Sequence, residues 1–165
     1  MADISARDKF GGTALDDAAA GGHIQIVKAL LEKDVEINAK DHHGRTPLYQ
    51  AVRAGHLEVV KLLLEKDVDI NAKDDDGSTP LYQAVERRHP EIVKMLLEKD
   101  VEINAKNYYG WTAVQQAVAV RDLGIVTLLL EKEADVNGRN RSGWTALQQA
   151  IEIGDFEIVK VLLEC

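Results

Sequence analysis

Thr46-Pro47-Leu48-Tyr49-Gln50-Ala51-Val52-Arg53-Ala54-Gly55-His56-Leu57-Glu58-Val59-Val60-Lys61-Leu62-Leu63-Leu64 is the stretch on which the fold turns. A Thr hydroxyl at an N-cap accepts a backbone N–H, and Pro at the first helical position sacrifices no hydrogen bond, so a helix is expected to start at Thr46-Pro47. It runs to about Ala54, where Gly55 permits the positive φ of a helix end. A second helix begins at about His56 and carries Leu57, Val60, Leu63 and Leu64 on one stripe, which makes an antiparallel helix pair. Beyond it, Asp67-Val68-Asp69-Ile70-Asn71-Ala72-Lys73-Asp74-Asp75-Asp76-Gly77 is turn-rich and is expected to project sideways as a hairpin finger.

The same pattern returns every 33 residues from one end of the chain to the other, with no insertion or deletion. Thr13, Thr46, Thr79, Thr112 and Thr145 form one column, and Gly11, Gly44, Gly77, Gly110 and Gly143 another. Ala18, Ala51, Ala84, Ala117 and Ala150 form a third, and Leu30, Leu63, Leu96, Leu129 and Leu162 a fourth. The units are 8–40, 41–73, 74–106, 107–139 and an incomplete 140–165, read together as one array spanning 1–165. One helix pair cannot bury its apolar face alone, whereas stacked pairs share a continuous elongated core.

Composition agrees with a helix-rich globular chain: 165 residues, 45% hydrophobic and 29% charged, with 12 Gly and 3 Pro. Twenty Lys and Arg against 28 Asp and Glu leave a formal charge of −8, which gives nucleic-acid binding little support. Cys165 is the only cysteine, so no disulfide forms within the chain and an intracellular location, cytoplasmic or nuclear, is expected. The opening Met1 to Asp8 has no apolar stretch of signal-peptide length, and apolar runs elsewhere are short, so no membrane association is expected.

The repeated Asp-x-x-Gly-x-Thr-Pro-Leu, Ala, Gly-His, Val-Val, Leu-Leu and Asp-x-Asn pattern resembles the ankyrin-repeat family over about residues 8 to 165. The second unit is nearest to it, with Asp41, Gly44, Thr46, Pro47, Leu48, Ala51, Gly55, His56, Val59, Val60, Leu63, Leu64, Asp69 and Asn71 in place. The resemblance implies an all-α solenoid of helix-turn-helix units with projecting fingers. It also implies a protein-interaction module whose fingers and first helices form an inner, concave surface that contacts a protein or peptide. Departures matter as well. Asp34, Asp67, Asp100 and Glu133 replace the family's Gly after the second helix, and each is expected to face a left-handed backbone. Arg88 and Arg121 replace the Gly present at Gly22, Gly55 and Gly154, at a cost of about 1 kcal/mol each.

Catalytic and metal chemistry find no motif. His23, His56 and His89 share a column with Asp122 and Asp155, which reads as a helix-start slot, and the adjacent His42 and His43 need not converge on one ion. Asp74-Asp75-Asp76-Gly77 lacks the Glu that a calcium loop requires at its twelfth position, where Val85 stands. There is no Gly-rich phosphate loop, zinc-protease motif or nucleophile elbow, and a terminal thiol at Cys165 lacks a base. A non-enzyme without cofactor or metal is therefore expected.

Large side chains mark the candidate recognition surface. All four tyrosines, both tryptophans and Phe10 fall on fingers or first helices, and only Phe156 falls elsewhere. The candidate partner-binding residues are His42, His43, Arg45 and Tyr49 in the second unit and Asp75, Asp76, Ser78, Tyr82, Glu86 and Arg87 in the third. They continue with Tyr108, Tyr109 and Trp111 in the fourth unit and Arg141 and Trp144 in the fifth. The aromatic cluster Tyr108, Tyr109, Trp111 and Trp144 is the expected hot spot, because buried Trp, Tyr and Arg anchors dominate interface energetics. Tyr49 and Tyr82, in a slot where the family usually has a structural His, carry a structural reading of equal weight, and Trp111 and Trp144 have packing against a neighbouring finger as their alternative. The competing function is a structural or spacer segment of a larger scaffold or sensor. A monomer is expected, with pairing through the ends as the alternative, and the chain reads as a fragment of a longer array. The resemblance further implies that the hairpin asparagines Asn38, Asn71, Asn104 and Asn137 are candidate substrates of an asparaginyl hydroxylase.

Overall fold

The structure, a computed structural model, describes residues 3–165. Among these, ten helices and no strands are found, in five pairs: α1 (Ala14–Ala20) with α2 (Ile24–Leu31), α3 (Pro47–Ala54) with α4 (Leu57–Leu64), α5 (Pro80–Glu86) with α6 (Pro90–Leu97), α7 (Ala113–Ala119) with α8 (Leu123–Leu130), and α9 (Ala146–Ile153) with α10 (Phe156–Leu163). First helices stack on first helices and second on second, giving two layers. Between the layers lies one unbroken core, built from the repeated columns Leu48/Leu81, Ala51/Ala84/Ala117/Ala150 and Leu63/Leu96/Leu129. No helix among the described residues is long and apolar enough to cross a membrane.

Every first helix starts at its Thr, which sits in extended backbone and accepts the N–H three residues on. Asp16, Gln115 and Gln148 close reciprocal capping boxes by accepting the Thr N–H in return. The second helices start differently. His23, His56 and His89 occupy the N-cap without a side-chain bond to their own helix, whereas Asp122 and Asp155 cap Ile125 N–H and Ile158 N–H.

The residue at the turn between helices is matched to the cap of the following unit. Gly22 and Gly55 have φ of +69° and +78°, and a Cβ on either would fall 2.6 Å from the His56 ring or 2.8 Å from the His89 ring. Arg88 and Arg121 adopt the same left-handed backbone, φ 57° and 54°, as the sequence leads one to expect. Each then reaches forward: Arg88 Nε donates to Asp122 Oδ2 and Arg121 Nε to Asp155 Oδ2, both at 3.2 Å. Gly thus goes with His, and Arg with Asp. Gly55→Arg alone is expected to lower stability by about 2 kcal/mol, from the left-handed penalty and the displaced ring. Adding His89→Asp should recover about 1 kcal/mol, read as the coupling term of a double-mutant cycle in urea.

The left-handed backbone expected after the second helix occurs only at Glu133, φ 59°. There the chain closes through Glu133 N–H to the Leu130 carbonyl and Ala134 N–H to the Leu129 carbonyl. Asp34, Asp67 and Asp100 do not adopt it. Their units turn instead through three-residue bonds, Val35 N–H to the Lys33 carbonyl, Val68 to Lys66 and Val101 to Lys99, which a negative φ at the central Asp satisfies.

Candidate functional site

Each finger is folded by an Asx column that the sequence repeats. Oδ1 of Asp8, Asp41, Asp74, Asn107 and Asn140 accepts two backbone N–H groups, two and four residues on. The fingers 41–45, 74–78, 107–111 and 140–144 are therefore tight hydrogen-bonded turns; the expected hairpins form no strands. One backbone bond links each finger to the next: His42 N–H to the Phe10 carbonyl, Asp75 to His43, Tyr108 to Asp76 and Arg141 to Tyr109, at 2.9 to 3.1 Å.

Two further columns staple neighbouring units. Arg7, Lys40, Lys73 and Lys106 each donate to the main-chain carbonyl 33 residues on, at Lys40, Lys73, Lys106 and Arg139. Asn38, Asn71 and Asn104 accept from the N–H of Asp69, Glu102 and Asp135, each at 2.8 Å. The lysine staple was missed in the sequence reading, although its period was visible there, because an exposed cation column reads first as a solvated face.

Fingers and first helices together form one continuous face, and they sort the candidate residues into two groups. Tyr49, Tyr82 and Ser78 are buried, with 3%, 9% and 6% exposure, which accords with the structural alternative for the two tyrosines and leaves Ser78 little surface to offer a partner. The Tyr49 hydroxyl donates to Asp74 Oδ2 at 2.5 Å and lies 2.7 Å from Gln83 Oε1; burial and the Asp74 carboxylate hold it protonated, far above the usual tyrosine range. The Tyr82 hydroxyl donates to Gln116 Oε1 at 2.9 Å, and burial, helped by the Glu86 carboxylate, pushes its pKa up to about 12. Both rings join one unit to the next.

Arg45 is also committed internally, with Nε and Nη2 each 2.9 Å from Asp41 Oδ2. Burial works against the Asp41 charge, but bonds from the Arg45 main chain and guanidinium and from His43 N–H prevail, and its carboxyl is held below the ordinary value. His42 and Tyr108 are exposed yet lean back on the preceding finger: a Cβ on Gly11 would meet the His42 ring at 2.5 Å, and one on Gly77 the Tyr108 ring at 2.7 Å.

His43, Asp75, Asp76, Glu86, Arg87, Tyr108, Tyr109, Arg141 and Trp144 are exposed, and Trp111 is half-buried. The face holds a polar cavity of about 250 Å³ between the second and third units, walled by His43, Arg45 and Arg53 on one side and by Asp75, Asp76 and Glu86 on the other. Between the third and fourth units, a cavity of about 230 Å³ is lined by Tyr82, Asn107, Tyr109, Trp111 and Gln116. The first is zwitterionic and the second largely aromatic. Such surfaces suit recognition of another chain by charge and ring contact.

A family model described as ankyrin repeats, three copies, matches residues 1–74, 42–107, 73–140 and 106–165. Among curated proteins no match is found.

Proposed function

From the premise that the chain belongs to the ankyrin-repeat family, whose members are generally protein-protein interaction modules, we propose that this array binds a protein or peptide through the face formed by its fingers and first helices. The observation that carries this reading is the gathering of exposed rings on that face. Tyr108, Tyr109 and Trp144 are 56%, 61% and 39% exposed, and the half-buried Trp111 opens onto the adjoining cavity. Exposed aromatic rings of this size lose little rotamer freedom on docking and bury much area, which is why they anchor interfaces. Tyr49 and Tyr82, locked by their hydroxyl bonds, support the face from below. The array acts as a rigid recognition surface and does no chemistry of its own.

The experiment is affinity capture from a cell extract by the array, beside the Trp111→Ala/Trp144→Ala variant. A partner held by the array should lose about 2 kcal/mol or more of binding in the variant, at least 30-fold in Kd, with the melting temperature nearly kept. If the variant instead melts much earlier and binds normally, the rings pack within the polypeptide, and the spacer reading replaces this one.

A further inference from the structure

We propose that the partner presents a cationic side chain, Arg or Lys, to the aromatic cavity between the third and fourth units, seated against the rings of Tyr109 and Trp111 with Glu86 as its counter-ion. This rests on the interaction reading above and names the chemistry of its partner. Three observations converge on it. The cavity is lined by three aromatic and two neutral polar residues, Tyr82, Tyr109, Trp111, Asn107 and Gln116, with no cation among them. One carboxylate neighbours it from the third unit, although it lines the polar cavity on the other side. Glu86, exposed at the end of α5, stands one helical turn on from the cavity-lining Tyr82, which places the two side chains on the same helix face, and it acts electrostatically on the Tyr82 hydroxyl. This acid is free to take a visitor's charge: among the described residues, Glu86 forms no ion pair and accepts only from the Gln83 amide, through one of its two oxygens.

The chemistry of such a seat favours a cation over an apolar group. The negative face of an indole or phenol ring attracts a guanidinium or ammonium, most strongly where solvent is thinned and a carboxylate stands close by. A net charge of −8 draws a basic segment to the surface before contact. Among the described residues Arg53 and Arg87 have no ion-pair partner and stand on the same face, so the preferred segment carries an isolated basic residue; a long basic run would meet repulsion there.

The test is an NMR titration of the folded array with N-acetyl-arginine amide, N-acetyl-norleucine amide and N-acetyl-glutamine amide, following the two indole N–H resonances. The arginine derivative should shift the Trp111 indole saturably in the millimolar range and leave Trp144 nearly still. The neutral derivatives should be at least 5-fold weaker, and Glu86→Gln, which keeps the bond from Gln83, should weaken arginine by a similar factor with unchanged melting. Equal or tighter binding of norleucine overturns the proposal in favour of an apolar groove, and absence of a saturable Trp111 shift overturns it outright. If a partner is captured through Trp111 and Trp144 but binds Glu86→Gln and wild type alike, the cation seat fails while the interaction reading stands.

Discussion

Gly110→Ala should destabilise the array by about 3 kcal/mol, whereas Gly143→Ala, one unit later in the same column, should cost only about 1 kcal/mol. Both glycines are left-handed, φ 77° and 82°, so both substitutions carry the same backbone penalty. Their surroundings differ. A Cβ on Gly110 would lie 2.8 Å from the Arg141 backbone nitrogen and 3.2 Å from two backbone carbons of Asn140, while nothing stands within 4 Å of one on Gly143. Backbone cannot swing aside as a long side chain does, so the methyl must push the fifth finger off the fourth and strain the bond from Arg141 N–H to the Tyr109 carbonyl. Urea midpoints of the two variants measure the difference, which isolates the contact between fingers from the conformational cost. Equal losses would mean that finger stacking contributes nothing.

That pair of glycines also marks where the sequence stops being informative. The column Gly11/Gly44/Gly77/Gly110/Gly143 is legible as a turn requirement, and the Thr column as helix starts, because both follow from local chemistry that one unit contains. The period then dictates stacking, and with it the two helix layers. What escapes is chemistry that crosses from one unit to the next. Lys40 reaches the carbonyl of Lys73 only because the units lie at a fixed offset, and Tyr49 is buried only because Asp74 and Gln83 of the following unit meet its hydroxyl. Read alone, an exposed-looking Lys and a large aromatic on a first helix give the opposite impression. The same limit explains the turn after the second helix: Asp34, Asp67 and Asp100 stand in a glycine's place, but the backbone there takes a three-residue turn that asks for no glycine. For the recognition face, residue type found the exposed rings, Tyr108, Tyr109 and Trp144, while the division of the polar cavity into a basic and an acidic wall needed the stacked coordinates.

Asp16→Gln is expected to stabilise the array by about 2 kcal/mol at pH 7, an unusual sign for a change at a buried position. Asp16 is 3% exposed and completes its capping box by accepting Thr13 N–H and the Thr13 hydroxyl through Oδ2, both at 2.7 Å. Its other oxygen, Oδ1, is buried without a partner. Gln115 stands in the same column and shows what the position wants. Its Oε1 accepts Thr112 N–H, while its Nε2 donates to the carbonyls of Gly138 and Trp144 in the next unit, at 3.2 and 2.8 Å. By the same 33-residue register the counterparts of those two carbonyls are at Ala39 and Arg45, acceptors that a Gln amide at position 16 is expected to meet and a carboxylate is not. Burial, reinforced by the nearby Asp41 carboxylate, raises the Asp16 pKa above 3.8, against the lowering effects of the Thr13 bonds and the Arg7 charge. In that case the folded chain holds the proton more tightly than the unfolded one, and stability falls as pH rises from 3.8 through the raised folded value. The cost is complete above that window and absent below it, where a protonated Oδ1 can donate across the junction. The advantage of Asp16→Gln over wild type, followed by urea unfolding at a series of pH values, should therefore be greatest at neutral pH and shrink on acidification. Asp16→Asn, uncharged but one methylene shorter, should gain less because its amide falls short of the facing carbonyls. A gap between Gln and wild type that stays constant across the window would show that the orphaned carboxylate is not its cause.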